Sequence, residues 1–581
     1  MPSDEVAYMI RHDSRTAIYC HELFHKKYAP NAFPGLTPDT PDPVFEQFKE
    51  LGFAHEAKAI TALKMAIPGL IEIDQKKKSD QIQLETVKAI LNPEAMVITG
   101  AYIAEIAESE LAQAFGIAFV PSVRSSKPDV MIRVGTRSDG RPAWAPVDIK
   151  SHNPITESKS NSLFVSKISN IDPSQGDKQE DRIIDDDLHQ LAHYTRHFRA
   201  IGMDCDGLWA GIIGRDLDHC VWQRMTDVVV GRGKTQKSFL EKYDQQFAEA
   251  VKVVELSIIE NADLTKKSGV IPLNSTGKMG CTACKYKSTC LSEMEAYDNG
   301  NGHVTLLARV TPLSATEKFP GIESIKELEE ATPQNPAMVV AQVRARVWRT
   351  GAPEVIDPAK PYLIPEADIE IDIDLENSME VLRELEIDEP IGVDRLYLYG
   401  FGIHDRTKNK DWRTATIETY FNYTNTEEGE LEVLTKMWNR LQAEVQKAEG
   451  SGKSIKIYHY SFHEVMWWDK FAKRYVGKAG VPSQDEIDRF ISTYFVDLRP
   501  YAEKWSFPLK SYSIKDLAPF AGFEWSVDMA GGANSLFKYK LAIDPKANPT
   551  DREEAIAWLD SYNRDDVRAT FAVRNYIRSL G

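Results

Sequence analysis

The sequence lacks any run of about 18 apolar residues, the length that a helix needs to cross a membrane. Its first residues, Met1-Pro-Ser-Asp-Glu-Val, do not show the basic and then apolar pattern of a secretory signal. Cysteine is also scarce: six thiols in 581 residues do not suggest a disulfide framework. We therefore expect a cytoplasmic protein with no membrane among its partners.

Positive charge is in short supply, since 70 Lys and Arg residues face 87 Asp and Glu residues and the net charge is −17. This balance argues against a protein that coats nucleic acid without sequence preference, because such proteins usually carry a basic surface. It does not argue against a nuclease, because carboxylates that hold metal ions are themselves acidic. A phosphate-binding loop is missing too, since the segment around Gly231–Thr235 has no glycine at position 228. No ATP-driven motor is therefore visible.

The length predicts more than one domain. A hydrophobic content of 42% and an aromatic content of 10% are typical of a globular protein with ample core. The composition changes near residue 337. We predict a first domain over 1–295, a connector over 296–336 with a linker or a helical hairpin at Phe319–Leu328, and a second domain over 337–581.

The segment Trp144-Ala-Pro-Val-Asp148-Ile-Lys150 is typical of a short buried strand, and Lys127-Pro-Asp129 precedes another. Asp148 and Lys150 are two residues apart, so on a strand they point to the same side. Asp129 would reach the same place from the neighbouring strand of a hairpin. Two carboxylates can hold a divalent metal, and an ammonium group can stabilise an activated water or a phosphate. The pattern therefore indicates cleavage of a phosphodiester bond.

Helical patterns surround this motif. We predict a helix over 5–29 with Cys20 near its end, a second from about Pro43 to Ile67, and a third from Asp185. Gln190 and Tyr194 are four residues apart on the third helix and so share one face. Residues 151–180 are rich in Ser, Asn, Lys and Asp and are predicted to form a long mobile loop.

Three of the six cysteines fall within ten residues, at Cys281, Cys284 and Cys290. A closed thiolate site needs four ligands, and Cys20, Cys205, Cys220 or a histidine would supply the fourth. Thiolate ligands suit both zinc and a four-iron cluster, so the spacing alone leaves the two open.

In the second domain, Asp368–Glu376 alternates acidic and apolar residues, so that one face of the predicted strand carries five carboxylates. Such a row repels itself unless cations lie beside it. Further strands are predicted at 395–403, 414–421 and 455–460, with a helix over 428–449. The final helix places Tyr562 and Asp566 on one face. This order of elements is typical of an α/β sheet.

The first domain resembles the RecB-like PD-(D/E)XK nucleases, which have a restriction-endonuclease-like fold. It is most similar to those with an iron–sulfur cluster, namely AddB and the CRISPR-associated RecB-like exonucleases. The residues that carry the resemblance are His55, Asp129, Asp148, Lys150, Gln190, Tyr194, Cys281, Cys284 and Cys290.

The resemblance implies a role for each of these residues. Asp129 and Asp148 would bind Mg²⁺ or Mn²⁺, and Lys150 would be catalytic. His55 would add a metal contact, with the adjacent Glu56 as the alternative ligand. Gln190 and Tyr194 would orient the site or contact DNA. In the same families an early cysteine, here Cys20, joins the late triplet to hold a structural [4Fe-4S] cluster, which is favoured over zinc.

The second domain resembles the DnaQ-type, RNase H-like DEDD exonucleases. Asp374-Leu-Glu376 corresponds to the first motif, His459–Glu464 to the second, and Tyr562-x3-Asp566 to the third. The second motif ends in Glu464, whereas most of the superfamily has aspartate. The acidic strand also offers other registers for the first motif, at Asp372 or at Asp368 with Glu370.

Together the resemblances imply a metal-dependent DNA nuclease, most simply an exonuclease that acts on single strands or duplex ends. It would serve recombination, repair or phage DNA processing in a bacterial or phage-infected cell, with a helicase or recombination protein as a partner. Two alternatives stay open from the sequence. One is a non-catalytic nucleic-acid-binding scaffold, and the other is a 3′–5′ exonuclease that acts on RNA through the second domain.

Overall fold

The structure is a computed structural model. It describes residues 11–17, 20–40, 43–104, 124–231, 236–267, 284–311, 315, 317–357, 363–378, 395–409, 411–424, 426–528 and 531–581. The chain divides into two compact units, Met1–Cys290 and Leu291–Gly581. Each unit is an α/β structure with a mixed sheet. Across the described ranges, no helix combines the length and the apolar character that a membrane span requires.

The first unit is built on an eight-stranded sheet in the order β1-β2-β3-β4-β9-β10-β6-β7. The β1–β2 and β4–β9 pairs are parallel and the other neighbours are antiparallel. The strands are β1 Ile71–Glu72, β2 Val97–Thr99, β3 Val130–Thr136, β4 Pro142–Ile149, β5 Ile155–Glu157, β6 Leu163–Lys167, β7 Asp177–Gln179, β8 Asp181–Ile183, β9 Trp209–Ile213, β10 His219–Arg224, β11 Val229–Val230 and β12 Lys237–Ser238. The remaining strands form two small pairs, β5–β8 and β11–β12.

Within the described part of the first unit, five helices accompany this sheet: α1 His21–Tyr28, α2 Pro43–Ala66, α3 Ser79–Leu91, α4 Asp185–Ala200 and α5 Phe239–Ala262. The first turn of α4 carries three aspartates, which suit the positive end of the helix dipole. Its apolar face packs on β4 and β9, while α2 contacts β4. These contacts bring both helices to the strand that carries Asp148.

Two predictions for the first unit are wrong. Residues 151–180 are not one long loop, because they contain β5, β6 and β7. The helix around Cys20 begins only at His21, so Cys20 precedes α1 rather than lying near the end of a long helix. The sequence also predicts a short apolar strand at Ile117–Val120, and this segment lies outside the described residues.

The second unit has a five-stranded sheet in the order β16-β15-β14-β17-β18. The first three strands are antiparallel, whereas β17 and β18 join β14 in parallel. The strands are β13 Glu354–Val355, β14 Ile369–Asn377, β15 Leu396–Asp405, β16 Thr416–Phe421, β17 Ile455–His459, β18 Phe495–Asp497 and β19 Trp505–Ser506. The four predicted strands of this sheet and its α/β class are thus confirmed.

The helices of this part of the chain are α6 Lys287–Gly300, α7 Ile325–Glu330, α8 Pro336–Thr350, α9 Glu427–Gly450, α10 His463–Arg474, α11 Gln484–Tyr494, α12 Arg499–Ala502, α13 Ile514–Phe520, α14 Gly532–Ile543 and α15 Pro549–Leu580. The main core joins apolar residues of β14, β15 and β17 to α9, α10 and α11. The last helix, α15, contacts β14, β15 and β16.

The approach of α15 to the sheet depends on two glycines of β15. Gly400 lies opposite Asp374 and Gly402 lies opposite Asp372, so each glycine shares a sheet face with an acid of β14. A side chain at either glycine would collide with side chains of α15. The missing side chains therefore let α15 lie directly alongside the acidic face of β14.

Candidate active sites

One half of the acidic strand face is neutralised by α15. Arg574 donates hydrogen bonds to Asp372, at 3.1 and 2.6 Å, and also to Glu370. Arg578 adds a 2.7 Å bond to Glu370. Burial raises the pKa of Asp372 to about 6, whereas the two guanidinium groups outweigh burial and lower the pKa of Glu370. At Glu370 and Asp372, the positive charge that the acidic strand requires is therefore supplied by arginines of α15.

The same contacts bear on the other registers proposed for the first motif. Asp372 and Glu370 are buried in ion pairs with Arg574. Asp368 accepts hydrogen bonds from the backbone and side chain of Ser454, at 2.9 and 2.8 Å. These three carboxylates are engaged in the fold, which leaves Asp374 and Glu376 at the other end of the row.

Asp374 and Glu376 meet Asp566 of α15 at that end. Ligand atoms of the three carboxylates all lie within 4.8 Å of one another. Burial, followed by the charge of Asp566, raises the pKa of Asp374 well above its usual range and the pKa of Glu376 to about 8. Burial raises the pKa of Asp566 as well. Three acids that repel each other at this distance form a ready oxygen site for a cation.

Neighbouring side chains fix the orientation of these acids. Asn563 donates a 2.7 Å hydrogen bond to Asp374 Oδ2, and Ser535 donates a 3.2 Å bond to Glu376 Oε2. Tyr562 hydrogen-bonds with Glu376. Burial, followed by the charge of Glu376, raises the pKa of the Tyr562 phenol. The phenol therefore stays protonated and acts as a hydrogen-bond donor at the site.

Two residues at this site were not singled out from the sequence. Lys515 Nζ of α13 lies 2.5 Å from Asp566 Oδ1, and Trp525 Nε1 donates a 2.6 Å hydrogen bond to the same oxygen. The ammonium of Lys515 also lies 4.2 Å from the ring centroid of Trp525 and 4.4 Å from that of Tyr562. Both residues come after β18: Lys515 lies in the short helix α13, and Trp525 lies in the loop that follows it. No local sequence pattern marks either residue as functional.

Glu464 comes to the same region from α10. It is buried, and its Oε2 lies 3.4 Å from Nδ1 of His459, at the end of β17. Its charge adds to the rise in the pKa of Asp374, after burial and the charges of Asp566 and Glu376. The charge of Glu464 therefore acts on this site. Its carboxylate is not part of the group of three that lies within 4.8 Å.

The predicted N-terminal site is organised by a chain of hydrogen bonds. Lys150 Nζ lies 2.5 Å from Asp148 Oδ2 and donates a 2.8 Å bond to Gln190 Oε1. Gln190 donates a 2.9 Å bond to the Tyr194 hydroxyl, which in turn donates a 3.0 Å bond to the backbone oxygen of Lys127. The structure therefore brings together residues from β4, from α4 and from the segment before β3.

The acids of this site influence one another. Burial, followed by the charge of Asp148, raises the pKa of Asp129 well above its usual range. Asp129 also accepts a 2.7 Å hydrogen bond from the backbone of Ile149. Burial raises the pKa of Glu56, and the charge of Asp148 acts in the same direction. His55 is buried on the same helix, α2. Among the described residues these acids do not form a group of three within 4.8 Å.

One further acid near this site was not anticipated. Asp187 of α4 bonds to His152 at 2.9 Å. The charges of Asp148 and Asp187 outweigh burial and raise the pKa of Lys150. Asp187 belongs to the run of three aspartates that begins α4, so its place in the sequence indicates a helix start rather than a site.

The described cysteines fall into two groups. Cys205 and Cys220 are buried among apolar residues of the first sheet, and burial raises the pKa of both thiols. Cys20 directly precedes α1, Cys284 lies shortly before α6, and Cys290 is a buried residue within it. Cys281 lies outside the described residues.

The early chain contacts the late cysteine segment. Asp39 donates a 2.7 Å backbone hydrogen bond to Lys285 and accepts a 2.9 Å bond from the backbone of Ser288. Cys290 Sγ lies within 4.8 Å of a carboxylate oxygen of Glu22, at the start of α1. The early chain and the late cysteine segment therefore lie side by side. They are about 250 residues apart in sequence, close to the separation that the resemblance implies.

Comparison with known proteins bears on the second unit. Residues 394–578 match the model of the RNase H superfamily. No curated protein and no solved structure matches the chain. The matched range contains Glu464, Lys515 and Asp566, while Asp374 and Glu376 lie just before it on the central strand of the same sheet. This part of the chain is therefore an RNase H-like domain, which indicates a metal-dependent phosphodiester hydrolase of the nuclease type.

Proposed function

We propose that the protein is a metal-dependent DNA nuclease whose C-terminal site is formed by Asp374, Glu376 and Asp566. The observation that carries this proposal is the convergence of these three carboxylates within 4.8 Å at the end of β14. Hydrolysis of a phosphodiester needs positive charge on the phosphate and an activated water. Carboxylates supply neither by themselves, but they hold the cation that does.

The donor set fits Mg²⁺ or Mn²⁺. All three ligands are oxygen atoms, which these hard cations prefer, and Glu464 adds a fourth acid nearby. Lys515 balances only one of these charges. When bound, such ions polarise the phosphate and lower the pKa of the attacking water.

The surrounding residues hold the ligands in place. Lys515 and Trp525 both contact one oxygen of Asp566, so the carboxylate cannot rotate freely. Asn563 fixes Asp374 in the same way. The protonated phenol of Tyr562 lies among the acids and donates its hydrogen bond to them, so that its oxygen is left to accept a hydrogen bond from a water.

We also propose that the first unit carries a second nuclease site of the PD-(D/E)XK type. Asp129 and Asp148 would bind the metal, with Glu56 or His55 as a further ligand. The contacts of Lys150 support a catalytic role, because Asp148 and Gln190 hold its ammonium beside the acids. Tyr194 positions Gln190 in turn.

A [4Fe-4S] cluster held by Cys20, Cys281, Cys284 and Cys290 is part of this proposal. The hydrogen bonds between Asp39 and the segment after Cys284 support it, because they bring the early chain to the late one. The cluster would join these two segments and so stabilise the first unit.

The test is degradation of end-labelled nucleic acid in Mg²⁺ or Mn²⁺. Single-stranded DNA, duplex DNA and RNA of one sequence are compared for the wild type, Lys150→Ala, Asp374→Asn and the double variant. Asp368→Asn is the matched control, because Asp368 lies on the same strand face but is bonded to Ser454.

We expect each single variant to lose part of the cleavage and the double variant to lose all of it, with DNA cut faster than RNA. Loss of all activity in Asp374→Asn alone would leave the first unit without a catalytic role. If RNA is cleaved faster than DNA, RNA rather than DNA is the substrate. A wild type without activity in either metal would contradict the proposal.

A further inference from the structure

A pocket of about 270 Å³ lies beside α15 in the second unit, outside the group of carboxylates. Three of its lining residues are aromatic: Trp412, Phe523 and Phe571. The rings of Trp412 and Phe571 are almost parallel, with an interplanar angle of 9° and centroids 6.0 Å apart. The other lining residues include several with no side chain larger than a methyl group, such as Ala415, which leaves room for a flat ligand. We name this feature the aromatic pocket.

Charged side chains complete the aromatic pocket. Arg413 and Arg568 are exposed lining residues, and the guanidinium of Arg413 lies 5.0 Å from the ring centroid of Trp412. Arg568 gives one hydrogen bond to Asp565, at 2.9 Å, and its guanidinium has further N–H donors. Glu524 adds one carboxylate to the lining. Aromatic faces with arginines at the rim are the usual means of binding the bases and phosphates of a single strand.

The aromatic pocket is connected to the carboxylate site. The ring of Phe523 meets the ring of Trp525 edge to face, with centroids 5.2 Å apart, and Trp525 hydrogen-bonds to Asp566. Arg568 and Phe571 come two and five residues after Asp566 on α15. These separations are about 3 and 7.5 Å along the helix axis. One nucleic-acid strand can therefore span both places.

We propose that the aromatic pocket binds an unpaired nucleobase of the substrate strand, close to the phosphate that is cleaved at Asp374, Glu376 and Asp566. This inference rests on the proposed nuclease function and specifies its substrate as single-stranded. A base in a duplex is stacked on its neighbours and hydrogen-bonded to its partner, so it cannot enter the pocket. Arg413 and Arg568 would contact the flanking phosphates, and Glu524 would accept a hydrogen bond from an N–H group of the base.

The test measures binding of a short fluorescein-labelled oligothymidylate to the full-length protein in EDTA, where cleavage is suppressed. Trp412→Ala removes one aromatic wall, whereas Ala415→Trp fills the pocket and keeps both arginines. Each variant is expected to weaken binding between about 5-fold and 100-fold, the range found for loss of base stacking. Arg413→Glu, a change at an exposed residue that leaves the fold intact, should weaken binding as well. Tyr423→Ala is the matched control, because Tyr423 is an exposed aromatic outside the pocket.

Equal affinity of the wild type and all three pocket variants would overturn the inference, as would tight duplex binding that depends on the pocket. Cleavage with Mg²⁺ is measured separately on the same proteins. If cleavage depends on Asp374 but the pocket variants bind the oligonucleotide as the wild type does, the proposal for the aromatic pocket is refuted and the nuclease function stands. Binding that depends on the pocket, without any cleavage by the wild type, would refute the nuclease function and leave the pocket as a single-strand site.

Discussion

Without a divalent metal, the second unit should lose stability as the pH rises, because its carboxylate site holds a proton that the unfolded chain releases. The pKa of Glu376 is raised from 4.5 to about 8 in the folded protein, by burial and by the charge of Asp566. Between these two values the folded state binds more protons than the unfolded state. Stability is therefore greatest near pH 5 and falls as the pH rises through about 8.

The magnitude follows from the size of the shift. Each pKa unit corresponds to about 1.4 kcal/mol, so the change from pH 5 to pH 9 would cost about 4 kcal/mol for the full shift. For a unit of this size, each kcal/mol of that loss lowers the melting temperature by about 2–4 °C.

The assay is thermal unfolding of the full-length protein in EDTA, followed by tryptophan fluorescence from pH 5 to pH 9. Eight of the eleven tryptophans lie in the second unit, so the signal reports mainly on that unit. Glu376→Gln should reduce the pH-dependent loss, because glutamine does not titrate. Mg²⁺ at about 100 times its Kd should restore about 2.7 kcal/mol at pH 9.

The comparison between variants isolates the site. Asp374 and Asp372 also have raised pKa values, so part of the loss of stability should persist in Glu376→Gln. A wild type whose melting temperature does not change between pH 6 and pH 9 in EDTA would refute the reasoning. The same holds if Mg²⁺ stabilises Glu376→Gln as much as it stabilises the wild type.

Three further predictions concern the parts that support the sites. Arg574→Leu leaves two buried carboxylates without their guanidinium and should cost about 3–5 kcal/mol in urea unfolding, while Arg568→Leu at an exposed position should cost less than about 0.5 kcal/mol. Gly400→Ala should push α15 from the sheet and abolish C-terminal cleavage, whereas Gly450→Ala, which has open space around it, should leave cleavage unchanged. Cys284→Ala should remove the iron and its visible absorption and destabilise the first unit, and an unchanged iron content would exclude this ligand.

The sequence predicts the elements whose pattern is local. Alternation of acidic and apolar residues places the strand at Asp368–Glu376, and β14 runs over Ile369–Asn377. The prediction of a loop over 151–180 is wrong because the strands of this segment are short and lie among Ser, Asn, Lys and Asp residues. β6 pairs with β10, some 50 residues later, so the information that makes it a strand lies elsewhere in the chain.

Site residues divide in the same way. Asp374, Glu376 and Asp566 fall in recognisable motifs, and the fold brings them together. Lys515 and Trp525 reach Asp566 from the segment between β18 and α14, where neither stands in a repeating pattern. The packing of α13 against α15 places Lys515 at the site, and Trp525 lies in the loop that follows α13. Contacts of this kind cannot be derived from spacing.

The spacing of α15 and β14 explains why two acids of a row of five are left for metal. Four residues of a helix advance about 6 Å, and two residues of a strand advance about 6.6 Å, so the two rows stay in step over their length. Asp566 therefore faces Asp374 and Glu376, while Arg574, two turns later, faces Asp372 and Glu370. A guanidinium one turn earlier would neutralise the metal ligands, and an acid in place of Arg574 would leave the buried pair without a cation. The separation of eight residues between Asp566 and Arg574 thus decides which part of the acidic strand stabilises the fold and which part is free to bind a metal.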